Sequence, residues 1–156
     1  MQREVNAAHG KSGAEELISD HQAFALAYAG HLQEATKMLR RSSDLAQQAA
    51  HQEKAAVFEA RAALWEAFYG NAPAAKLTAM AALALGKNRE VQYGAAVALA
   101  IVGDSSQAHT LTNDLERSFP EDTSVKFNYL PTVRAFLALN HGDPAKACLL
   151  YTSRCV

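Results

Sequence analysis

Four glycines impose a register on this chain. Gly30, Gly70, Gly103 and Gly142 each have an alanine seven residues before (Ala23, Ala63, Ala96, Ala135) and another five residues after (Ala35, Ala75, Ala108, Ala147). Glycine ends a helix readily because it takes the left-handed backbone conformation without a Cβ clash. The residue behind each glycine can then cap the next helix: Asn71, Asp104 and Asp143 are good caps, His31 a poor one. Pro144 suits a first helical position, and Pro73 falls within a first turn. The two alanines of each unit lie on facing sides of an antiparallel helix pair, where small side chains let backbones approach. The register therefore predicts paired helices. The first (A) helix of each unit spans 14–29, 52–69, 89–102 and 123–140. The second (B) helix spans 32–49, 72–85, 105–118 and 144 onward.

The links between units are marked by Gly86-Lys87-Asn88 and by Pro120-Glu121-Asp122, whereas the link near Ala50 and His51 has neither glycine nor proline and is left unplaced. Pro131 should kink the last A helix, since it removes a backbone donor and crowds the preceding turn. Residues 1–13, with a short segment from Gln2 to Ala8 and a turn between Gly10 and Gly13, read as the remnant of an earlier helix. Composition agrees: alanine fills 33 of 156 positions, against 17 for valine, isoleucine and threonine together. That balance favours helix over sheet. The expected fold is all-α, a solenoid of about four antiparallel helix pairs over residues 14–147.

Alanine, glycine and alanine at these positions of paired helices resemble the tetratricopeptide repeat, and Pro120 matches the proline that often ends such a unit. The stretches Gln92-Tyr93-Gly94-Ala95-Ala96-Val97-Ala98-Leu99-Ala100, Phe119-Pro120-Glu121-Asp122-Thr123 and Phe127-Asn128-Tyr129-Leu130-Pro131-Thr132-Val133-Arg134-Ala135 resemble something narrower. They are similar to the helical repeats that follow the kinase domain in large bacterial membrane-anchored serine/threonine kinases. That resemblance implies a fragment of a larger regulatory protein, anchored to a membrane by a segment outside this stretch. No kinase glycine-rich loop or catalytic loop is present, so no kinase role carries over to any residue.

Residues 148–156, Cys-Leu-Leu-Tyr-Thr-Ser-Arg-Cys-Val, are of another kind. Back-translated and followed by a stop codon, they give a string that is its own reverse complement about the Ser153/Arg154 junction. It resembles two inverted transposon ends of the sort used in sequencing libraries, and the tail reads as a non-native scar. Cys148 and Cys155 both lie in it, so no inference about redox compartment stands. A last helix completed by such a tail should leave its unit partly uncovered, and self-association through this end is expected.

Charge excludes several functions. Fifteen basic residues against sixteen acidic ones give no excess for a general nucleic-acid surface. The densest basic group, Lys37, Arg40 and Arg41, fits the end of a helix. The apolar run from Ala95 to Val102 is far too short to span a bilayer. No signal peptide opens the chain. His9, His21, His31, His51, His109 and His141 lack metal-ligand spacing, and no nucleophile elbow, dinucleotide fingerprint or Walker loop appears. No enzyme activity, cofactor or metal is expected.

What is left is a surface. In tetratricopeptide superhelices the A helices line the concave face, which the resemblance places here at ten, six and two residues before each turn glycine. Those positions hold Asp20, Ala60, Tyr93 and Thr132, then Phe24, Leu64, Val97 and Phe136, then Tyr28, Phe68, Ile101 and Asn140. The clamp for acidic C-terminal tails found in some relatives needs Lys, Arg and Asn there, and Asn140 alone fits. The expected partner-binding residues are Phe24, Tyr28, Leu64, Phe68, Tyr93, Val97 and Phe136. The expected function is a protein–protein interaction or scaffold module that takes a protein or peptide partner. The alternative is a structural spacer with no ligand of its own.

Overall fold

The computed structural model describes residues 13–152 together with residues 3, 8, 10 and 11. The described residues form helices and no strands. In order they are α1 (Glu15–Tyr28), α2 (Leu32–Gln48), α3 (Gln52–Phe68), α4 (Ala72–Leu85), α5 (Arg89–Ile101) and α6 (Ser105–Ser118). A π-helical turn (Val125–Tyr129), α7 (Leu130–Asn140) and α8 (Pro144–Thr152) follow. The described residues make an all-α helical repeat of four helix pairs. Most of the segment expected over Gln2 to Ala8, and the tail from residue 153 with Cys155, lie outside the described residues.

The turns explain why the pairs form. Gly30, Gly70, Gly103 and Gly142 all have φ between 73° and 84°. At each, the next residue's N–H reaches back five positions across the helix end: His31 to Leu26, Asn71 to Glu66, Asp104 to Leu99 and Asp143 to Ala138. This pairs the carbonyls that a helix end would otherwise leave orphaned. Asp104 and Asp143 cap the next helix, accepting from the N–H groups of Gln107 and Lys146. Asn71 does not cap, contrary to the sequence expectation: its Nδ2 instead donates to Glu66 Oε2 at 2.8 Å.

The link that the sequence left unplaced has the same geometry with the wrong residue. Ala50 has φ 59°, and the His51 N–H reaches Ala46 O at 2.8 Å, so an alanine closes α2 where the other turns use glycine. An L-residue in this conformation carries roughly 1–2 kcal/mol of strain. Relief of that strain exceeds the roughly 0.4–1 kcal/mol that glycine's added unfolded-state freedom costs. Ala50→Gly is therefore expected to stabilise the fold by about 0.5–1 kcal/mol. A lower urea midpoint in the variant would contradict the turn assignment.

Pro131 acts one turn early. The helix ahead of it widens into the π turn, whose cap N–H, that of Leu130, bonds Val125 O. The Thr132 hydroxyl donates to the carbonyl one turn back, Asn128 O, at 2.8 Å.

Packing follows the register. Each A helix packs on its own B helix, and each B helix on the next A helix. Seven of the eight register alanines are buried. Ala135, in the last unit, is half-buried. The A helices also meet in sequence order. The residue ten before one turn glycine meets the residue nine before the next. At α3/α5 this pair is Ala60 and Gly94, so close that a Cβ on Gly94 would stand 3.1 Å from that of Ala60. At α1/α3 the same pair is Asp20 and Arg61, an ion pair, and the backbones run further apart.

Candidate functional site

The A-helix stripe divides into three parts. Phe24, Tyr28 and Phe68 are open to solvent, at 51%, 96% and 62% exposure. Leu64, Tyr93 and Phe136 are half-buried and pack against the central cluster that runs from α3 to α7. Val97 is buried in that cluster at 4% exposure, so the structure removes it from the expected partner-binding set. The reason is its neighbour: α7 packs directly on α5 and brings Val133 and Leu137 into the same cluster.

The open part is built from residues that sequence reading passed over. Trp65 meets Phe24 edge to face, with ring centroids 5.4 Å apart. The Arg61 guanidinium lies 5.2 Å from the Phe24 centroid while it also holds Asp20. Phe24 is thus fixed by two residues of the next unit and still exposes half its surface. Tyr69, beside Phe68, is also exposed. Trp65 lies five residues before its turn glycine. The register places that position on the face toward the preceding unit, and this was the signal available in the sequence.

Tyr93 is committed elsewhere. It stacks on Tyr129 with centroids 4.0 Å apart and planes within 9°. Burial pushes the Tyr129 hydroxyl above its usual range, and the nearby Glu90 charge adds to that. Arg89 bridges Glu90 and Asp122 beside this pair. Asp122 is held below the usual carboxylate range, first by the Val125 N–H and then by Arg89.

A second polar cluster sits where α1 meets α3. Glu16, 1% exposed, accepts from the Gly13 N–H at 3.0 Å, lies 2.8 Å from His51 Nδ1, and accepts from Lys54 Nζ at 3.4 Å. Burial raises its pKa, but these hydrogen bonds outweigh burial and leave it below the usual glutamate range. Each group in the cluster is turned toward another, and this satisfied ionic joint has the form of a structural contact. Among the described residues, no three His, Cys, Asp or Glu side chains group so as to hold a metal ion. No described helix is long and apolar enough to cross a membrane.

Comparison of the chain with protein-family models, with curated proteins and with solved structures gives no match.

Proposed function

We propose that this chain is a protein-interaction module of tetratricopeptide type, a fragment of a larger bacterial regulatory protein such as a serine/threonine kinase. In this reading it takes an extended apolar or amphipathic segment of a partner protein along the A helices. One observation carries the reading: Phe24, Tyr28 and Phe68 stand exposed along the same stripe of α1 and α3. Aromatic anchors of this kind supply much of the energy in protein recognition. The spacer alternative is favoured by the half-burial of Leu64, Tyr93 and Phe136, which makes the α5–α7 part of the stripe core. Binding is therefore assigned to the first two units.

The test is selection from a peptide-display library, followed by titration of the selected peptides against a Phe24→Ser/Tyr28→Ser/Phe68→Ser triple variant. Tyr28 and Phe68 are mostly exposed and contribute little to folding, whereas Phe24→Ser also removes the Phe24–Trp65 contact, so a Tyr28→Ser/Phe68→Ser double variant that melts with the parent serves as the folded control. The triple variant's affinity should fall at least thirtyfold, the effect of losing about 2 kcal/mol at one anchor. Selected peptides that bind the triple variant as tightly as the parent would defeat the groove. A library that returns no binder would favour the spacer.

A further inference from the structure

Between the second and third units, α4 and α6 leave a groove of about 750 Å³ over the start of α5. Met80, Leu83 and Ala84 of α4 form one apolar wall, and Leu111 of α6 with Phe119 behind it forms the other. Every lining residue lies between Met80 and Phe119, so the groove owes nothing to either end of the chain. The α4 sequence suits such a wall. It carries one charge, Lys76, in 14 residues, and Leu77 and Met80 stand exposed on it. Gln92 lies in the floor and is 7% exposed. Its Nε2 donates to the Lys87 carbonyl at 2.7 Å, which fixes the orientation of the amide. Its Oε1 is buried and finds no donor among the described residues. At the same register, eleven before the turn glycine, the first unit has Ser19, whose hydroxyl is used on Met38 O. A buried acceptor without a donor is costly, so a group that brings one gains more here than at an open surface.

We propose that this groove binds a small aromatic acid that carries one N–H or O–H donor. The ring lies between the two apolar walls, the donor meets Gln92 Oε1, and the carboxylate meets Lys87. Charge supports the last contact. Lys87 has no carboxylate partner among the described residues, whereas the groove's own acid, Asp114, is already held by Arg117. The volume is that of a small-molecule site, and such sites pair apolar walls with a few placed polar groups. Reaching Oε1 requires a wall side chain to move. Met80 is half-exposed, and its unbranched thioether repacks readily. An extended peptide fits less well. Pressed into the groove, it would bring a row of backbone N–H and C=O groups to walls that offer them few partners. No residue of the groove belongs to the Phe24, Tyr28 and Phe68 face, so each proposal can fail without the other.

Titration of the intact chain with indole-3-acetate, followed by proton–nitrogen NMR, tests the site. This molecule has a flat ring, one N–H donor and a carboxylate. Amide shifts should gather at Leu83, Gln92, Leu111 and Phe119 and saturate in the millimolar range, as expected of a small fragment. 1-Methylindole-3-acetate lacks the donor and should bind the parent chain at least tenfold more weakly. That comparison needs no variant, so it stands whether or not a substitution disturbs folding. Gln92→Met should remove the preference between the two acids. Lys87→Gln should weaken indole-3-acetate severalfold and leave indole unchanged. No saturable shift in the millimolar range would overturn the proposal. Equal affinity of the parent for the two acids would do the same, and so would shifts confined to α1 and α3.

Discussion

Gly94→Leu is expected to destabilise the fold by about 3 kcal/mol, near the top of the range for overpacking a tight contact. In a domain of this size that corresponds to a fall in melting temperature of roughly 6–12 °C. The added Cβ alone would stand 3.1 Å from Ala60 Cβ and 3.5 Å from the Ala60 carbonyl oxygen. One of those two neighbours is backbone and cannot rotate away, so α3 and α5 must separate along their whole contact. Leucine at Gly86 makes a useful comparison, since its Cβ would meet Ala56 Cβ at 3.0 Å where the link after α4 passes α3. Calorimetry of Gly94→Leu and of Gly94→Ala reads the effect. A Gly94→Leu protein that melts with the parent would show that α3 and α5 are not in close contact.

The second large effect belongs to Glu16. Glu16→Ala removes a buried carboxylate and strands the Gly13 N–H, while His51 and Lys54 are exposed enough to turn to water. That discounts the cost of breaking a buried ion pair to about 2 kcal/mol at neutral pH. The effect should depend on pH in one direction. A carboxyl whose folded pKa lies below its unfolded value contributes stability above the unfolded value and loses it as pH falls through the folded one. For Glu16 the ordinary value is 4.5 and the folded value is lower. The stability difference between parent and Glu16→Ala should thus be constant from pH 7 to pH 5 and shrink below about pH 4.5. Asp104 and Asp122 are also held low, but both remain in the variant and largely cancel in the difference. Urea titrations at pH 7, 5 and 3.5 measure it, and a difference unchanged at pH 3.5 would contradict the ionic account of this joint.

The helix pairs were legible because the physics that ends a helix is local. A left-handed glycine with a capping residue behind it can be read from two positions, and Gly103-Asp104 is as clear in sequence as in the folded chain. The turn at Ala50 was not legible, because nothing local favours alanine there. The packing of α2 and α3 on their neighbours imposes it. The A-helix stripe was half legible as geometry. Register put Phe24, Tyr28 and Phe68 on the A helices, and the fold leaves those three side chains exposed. Register could not say that α7 would close over Val97, since that depends on how tightly successive units nest. Nesting is set by whether two distant positions hold Ala60 with Gly94 or Asp20 with Arg61.

That last contrast has a mechanical consequence. Between the first two A helices the contact is made by ion pairs and ring edges across a wider gap, beside the apolar packing of α2 on α3 through Leu39, Ala46 and Phe58, whereas α3 and α5 meet through alanine and glycine backbones in contact. Charged groups near a surface are screened by salt, and apolar contacts are not. The α1/α3 contact should therefore respond to salt where the α3/α5 contact does not. Raising ionic strength should ease α1 away from α3 while α2 stays seated on α3, so the motion it releases lies beside the exposed rings of Phe24 and Phe68.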